Sequence, residues 1–204
     1  MVFPAGPRAR RAPVVSWRMA QEASLLWIDL EMTGLDPACC DIVEVATMLT
    51  GDDLELLAEG PCLVIHQSDE VLGAMSEHVR ELHTRSGLLE QVRSSPVTLR
   101  EAEAEVLAFV RRHCAEHQTL LAGNSVWKDR MFLERHMPEL VRYLHYRMID
   151  VSTVKELARR WYGPAGKAPD KAGQHRALDD IRESIAELRW YRDEIFVPPA
   201  SRTF

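Results

Sequence analysis

The 204-residue chain has no apolar run approaching the roughly 18 residues a helix needs to cross a bilayer, which excludes a membrane span. It has no C-x-x-C pair. Its four cysteines are Cys39, Cys40, Cys62 and Cys114. These spacings argue against a zinc site, and four thiols are too few for a disulfide scaffold in a chain of this length. They are read as free thiols in a reducing compartment. An excess of basic residues is also missing. Lys and Arg number 25 against 31 Asp and Glu, a formal net charge of -6 with His neutral. Proteins that hold long nucleic acid by neutralising phosphates are usually basic. A nucleic-acid substrate of this chain is therefore expected to be short or bridged by metal. Apolar residues are not scarce. At 46%, against 27% charged, they exclude disorder throughout and suit one globular domain.

The first residues differ from the rest. Arg8, Arg10, Arg11 and Arg18 stand among Pro4, Pro7 and Pro13, and the first acid is Glu22. No apolar stretch follows the arginines, which argues against a secretory signal. Arg-rich, acid-poor composition fits a mitochondrial transit peptide. The prolines would interrupt its helix and favour a disordered extension ahead of Met19. The expected layout is an extension over 1–23, a folded domain over 24–197 and a flexible tail over 198–204. The expected compartment is the cytoplasm, or the mitochondrion if the extension is a transit peptide.

Leu25 to Leu30 is a short apolar run closed by Thr33-Gly34-Leu35-Asp36-Pro37, and reads as a buried strand. Asp41 to Thr50 and Leu54 to His66 read as two more, separated by Gly51-Asp52-Asp53, so an antiparallel meander is expected. After Ser68 the chain turns helical. Thr98 to Glu101 has the form of a capping box, and so does Thr153 to Glu156. Thr119 to Asn124 and Tyr146 to Asp150 read as strands, with a helix around Lys128 to Met137 between them. Gly163 to Gly173 is the candidate mobile lid. The last helix, His175 to Glu194, carries the stripe Leu178, Ile181, Ile185 and Leu188. Three strands followed by alternating helices and strands give an α/β fold with a mixed sheet.

Three features carry chemistry. Asp29 and Glu31 stand two apart on a strand, so both point to one face. Two adjacent carboxylates repel and are costly to desolvate, unless a hard divalent cation such as Mg²⁺ or Mn²⁺ sits between them. The plain alternative is a strand that frays at Asp29 and leaves both acids in water. Asp129 follows the Gly123-Asn124-Ser125 turn near the start of a helix, where an acid also suits the helix dipole. His175-Arg176-Ala177-Leu178-Asp179-Asp180 brings an imidazole and two acids to the start of the last helix, and helix geometry does not choose between Asp179 and Asp180. Four carboxylates can hold two metal ions for in-line phosphodiester cleavage, with a histidine to take the proton of water.

These segments resemble the oligoribonuclease family of the DnaQ-like 3′→5′ exonuclease superfamily. The motifs are Trp27-Ile28-Asp29-Leu30-Glu31-Met32-Thr33-Gly34-Leu35-Asp36-Pro37, then Ala122-Gly123-Asn124-Ser125 with Asp129-Arg130, then His175 to Ser184. His145-Tyr146-Arg147, Asp150 to Thr153 and Lys155-Glu156-Leu157 also match. The resemblance implies an RNase H-like mixed central sheet flanked by helices, the DnaQ-like exonuclease fold. It implies that Asp29, Glu31, Asp129 and Asp180 hold two Mg²⁺ or Mn²⁺ ions and that His175 is the general base, with Asp179 the second choice for the last acid. It implies a substrate of very short single-stranded RNA, from dinucleotides to about five nucleotides, released as 5′-mononucleotides. Two bound divalent ions would bring the net charge from -6 to about -2. Leu35 would wedge between the bases. Ser125 and Ser152, with Tyr146 and Arg147 from the partner of a homodimer, would cap the 5′-phosphate. Where the family's base-stacking Trp is expected, this chain has Ser76-Glu77-His78-Val79-Arg80, so His78 is the expected stacking residue.

Overall fold

Alternation along the first strand decides the layout. In β1 (Leu25–Met32), Leu26, Ile28 and Leu30 enter the core on one face of the sheet, and Leu25 and Trp27 enter the core on the other. Asp29 and Glu31 continue the Trp27 row beyond the point where apolar packing ends. The strand does not fray at Asp29, and it runs paired to Met32. The structure, a computed structural model, describes residues 25–169 and 176–196. The extension over 1–23, the tail over 198–204 and His175 lie outside the described residues.

β2 (Ile42–Thr50) pairs antiparallel with β1 and places Glu44 opposite Glu31. β3 (Leu56–Val64) pairs antiparallel with β2, completing the expected meander. Three short helices follow: α1 (Asp69–Gly73), α2 (Glu77–Arg85) and α3 (Leu88–Ser94). Leu72, Leu88, Leu89 and Val92 of α1 and α3, with Met75 from the α1–α2 link, make a small core around Val43. α4 (Leu99–His113) opens with the expected capping box between Thr98 and Glu101. β4 (Leu120–Gly123) lies parallel to β1, and β5 (Met148–Asp150) parallel to β4. The five-stranded order is β3-β2-β1-β4-β5.

α4, α5 (Val126–His136) and α6 (Pro138–Tyr143) cover the Leu26–Ile28 face. α7 (Val151–Tyr162) and α8 (Ala177–Glu194) cover the Trp27 face. This is the mixed sheet flanked by helices that the resemblance implies. The carboxyl ends of the parallel strands β1, β4 and β5 lie side by side, the usual place for a site in such a sheet. At Gly123 a Cβ would stand 3.0 Å from the Ile28 carbonyl oxygen, so a larger residue there would push β4 and β1 slightly apart.

Two boundaries depart from expectation. The α7 cap is Asp150, not Thr153, because the Asp150 carboxylate at the end of β5 already accepts the Ser152 N–H at 2.9 Å. Thr153 is exposed within the first turn. α5 starts at Val126, two residues earlier than expected, because Ser125 takes a left-handed conformation (φ 52°) and turns the chain straight into the helix. In the expected lid, Gly163–Gly166 form a 3₁₀ turn, and residues 170–173 lie outside the described residues.

Candidate active site

The carboxylates of Asp29, Glu31 and Asp180 converge. One oxygen from each lies within 4.8 Å of the others. β1 supplies the first two by its period of two, and α8 brings the third across the end of the strand. Asp129 approaches from α5. It is buried, and its Oδ1 accepts the Leu30 N–H at 3.0 Å, which ties the helix to the strand between the two β1 acids. It stands outside the tight group of three but faces Asp29 closely enough to act on its charge. Asp179 turns away and pairs with Arg182 at 3.0 Å. His175 lies outside the described residues.

The electrostatics follow from crowding. Burial, then Asp129, Glu31 and Asp180, push the Asp29 carboxyl well above the usual carboxylate range. Burial, then Glu44 and Asp180, raise Glu31 to about 8, with the Arg176 cation working the other way. Burial raises Asp129 to about 7, against the lowering effect of its bond from Leu30. Such a group is costly as anions and costly as neutral acids near neutral pH. A divalent cation removes the conflict, and the all-oxygen donor set suits a hard ion. The residues present therefore fit a divalent metal centre.

The surrounding side chains hold the acids in place. Glu44 is fully buried and pairs with Arg176, Nη2 to Oε1 at 2.7 Å and Nε to Oε2 at 3.3 Å. The pair pins the start of α8 to β2. His83 of α2 lies 2.9 Å by Nε2 from the Met32 carbonyl, which can only accept, so Nε2 carries the hydrogen. Its Nδ1 stands 4.0 Å from Glu31. On the far side Asn124 donates to Ser184 Oγ at 2.8 Å and to Glu187 at 3.1 Å, while its Oδ1 accepts from Ser152 at 3.2 Å. Ser184 Oγ in turn donates to the Asp180 carbonyl at 2.8 Å.

The family model described as Exonuclease matches residues 26–188. The oligoribonuclease of Vibrio vulnificus is 53% identical over 175 residues, covering 86% of this chain and 97% of that protein. The mitochondrial oligoribonuclease of Mus musculus is 54% identical over 179 residues, covering 87% and 75% respectively. The chain belongs to the oligoribonuclease family. Membership makes it an exonuclease, a hydrolase of phosphodiester bonds. Among solved structures, Escherichia coli exonuclease I, in its zinc form with single-stranded DNA, has a TM-score of 0.64 at 13% identity. That match covers 86% of this chain and 41% of the exonuclease I chain, and shows the shared fold.

Of the positions that the oligoribonuclease resemblance marks for substrate, Leu35, His78, Ser125, Tyr146 and Arg147 are exposed and Ser152 is half-buried. Leu35, 71% exposed, is in the loop after β1. His78 is exposed on α2. The Ser125 N–H is held by Asp150 Oδ1 and Ser152 Oγ, each at 3.0 Å, and the two serine hydroxyls stand 3.1 Å apart. Tyr146 and Arg147 project from the turn before β5. Tyr146 is 68% exposed, stacked on His145, with the Arg147 guanidinium 5.2 Å from its ring centre. Sequence reasoning passed over Glu44, His83 and Arg176. A lone acid inside the apolar run Ile42-Val43-Glu44-Val45 was the available signal for the first of them.

Proposed function

We propose that the chain is a 3′→5′ exoribonuclease that hydrolyses very short oligoribonucleotides, dinucleotides to about five nucleotides, to 5′-mononucleotides in the final step of RNA degradation. The observation that carries this is the convergence of Asp29, Glu31 and Asp180 beside buried Asp129, in a member of the oligoribonuclease family. The two relatives above bear that name, and the acidic net charge of -6 favours a short substrate.

Asp29, Glu31, Asp129 and Asp180 would hold two divalent ions, Mg²⁺ or Mn²⁺. When bound, such ions polarise the scissile phosphate and favour the hydroxide form of water. His175 accepts the proton of the attacking water, a task suited to an imidazole of ordinary pKa about 6.5. The water oxygen bonds to phosphorus, the P–O3′ bond breaks, the departing O3′ takes a proton from solvent, and the 5′-mononucleotide leaves. Ser125 and Ser152 donate to the 5′-phosphate, Leu35 separates the bases and His78 stacks on the 3′ base. Arg147 and Tyr146 of a partner subunit close over the phosphate. The exposed Leu157, Trp161 and Tyr162 of α7 support such a homodimer. The working compartment is the cytoplasm, or the mitochondrion if residues 1–23 direct the chain there.

The test is turnover against RNA length, from two to about twenty nucleotides, with metal-free controls. Strong preference for two, lost without metal, is expected. Equal or better turnover of the longest RNA would overturn the substrate assignment.

A further inference from the structure

The loop that carries Leu35 is not held by its own strand alone. Within the loop, the Thr33 N–H donates to the Asp41 carbonyl and the Asp41 N–H to Thr33 Oγ1, both at 2.9 Å, and the Ala38 N–H donates to Asp36 Oδ1 at 2.9 Å. Two side chains of α5 then clasp it. The Lys128 ammonium donates to the Leu35 carbonyl at 3.2 Å, and Arg135 donates to the Ala38 carbonyl at 3.4 Å. Lys128 also lies 4.5 Å from the centre of the Trp127 ring. Trp127 itself is 50% exposed. Both residues fall between Ser125 and Asp129, on the first turn of the helix that reaches the acidic group.

The energetics argue that this contact serves position more than stability. Ordering a lysine side chain costs rotamer freedom, and an exposed cation–π contact with one hydrogen bond returns little more than that ordering costs. What the contact does achieve is to fix the backbone of Leu35, the loop residue whose large apolar side chain stands out in water. A wedge between two bases works only if it is held before the substrate arrives, because ordering it on binding subtracts from affinity. We propose that Lys128, braced by the Trp127 indole, is a positioning residue for Leu35 and thereby sets affinity for the dinucleotide. This rests on the proposed function, in which Leu35 separates the bases.

The experiment is steady-state hydrolysis of a 5′-phosphorylated RNA dinucleotide by the full chain and its variants, with unfolding temperature as a control. Lys128→Met should raise KM about tenfold with kcat within about threefold, the signature of lost binding common to ground and transition states. Lys128→Arg, which keeps cation and donor, should restore KM to within about twofold. Trp127→Ala should raise KM in the same direction by a smaller factor. In a Leu35→Ala background, Lys128→Met should add less than about twofold, because its effect passes through Leu35. An unchanged KM in Lys128→Met overturns the inference. So does an equal penalty in both backgrounds, which would mean that Lys128 meets the substrate directly. A wild-type protein that does not turn over the dinucleotide overturns the proposed function itself, and the inference with it.

Discussion

Replacing Arg176 with methionine removes the cation that faces Glu44. The Glu44 side chain is 1% exposed and its two oxygens each meet a guanidinium nitrogen, at 2.7 and 3.3 Å. Without Arg176 the carboxylate stays buried, directly across the strand pair from Glu31 and on the same face as Asp29. Removing one partner of a buried ion pair costs about 3–5 kcal/mol. Arg176 is 32% exposed, so water reaches its end of the pair and the lower figure of about 3 kcal/mol applies. In a domain of this size that lowers the unfolding midpoint by about 6–12 °C. The assay is thermal unfolding followed by circular dichroism, in metal-free buffer near neutral pH. Glu44→Gln combined with Arg176→Met should recover more than half of the loss, since no buried charge then lacks its partner. A single variant within about 2 °C of wild type, or a double variant less stable than the single, would refute the reasoning.

Asp129→Asn and His175→Ala should each lower dinucleotide turnover by more than about a hundredfold while far-ultraviolet circular dichroism stays unchanged. Near wild-type rates in either would remove that residue from the site. Asp29, Glu31 and Asp129 all have folded-state pKa values raised above their ordinary ones, Glu31 to about 8 and Asp129 to about 7. Groups raised in this way stabilise the fold fully below their ordinary values and lose that contribution as pH rises through the folded ones. The EDTA-treated protein should therefore melt lower at about pH 8 than at about pH 5, and added Mn²⁺ should close the gap. A metal-free midpoint that rises over this range would contradict the electrostatic account.

The sheet was legible because its signals are local. Period two in β1, the Gly51-Asp52-Asp53 turn and the capping box at Thr98 each lie within a few residues, and each holds in the structure. The α7 cap was misread because Thr153 and Glu156 have the right form but Asp150 stands earlier with a stronger acceptor. α8 shows the limit of apolar periodicity. Its stripe of Leu178, Ile181, Ile185 and Leu188 omits Ser184, Glu187 and Tyr191, all buried. Including them turns the inner face by roughly 50° toward Asp180 and leaves Asp179 outside. Ser184 and Glu187 look like surface residues in the sequence, yet Asn124 and Lys155 satisfy them in the interior. The partners of Glu44 and of Leu35 were not legible, since Arg176 and Lys128 lie 132 and 93 residues away.

Calorimetric titration of the metal-free protein with Mn²⁺ reaches the central claim most directly. Wild type should bind about two ions per chain with release of protons near neutral pH, and Asp29→Asn and Asp180→Asn should each lose at least one of them. Saturable binding that is absent from wild type, or unchanged in both variants, would show that these acids do not form a metal centre.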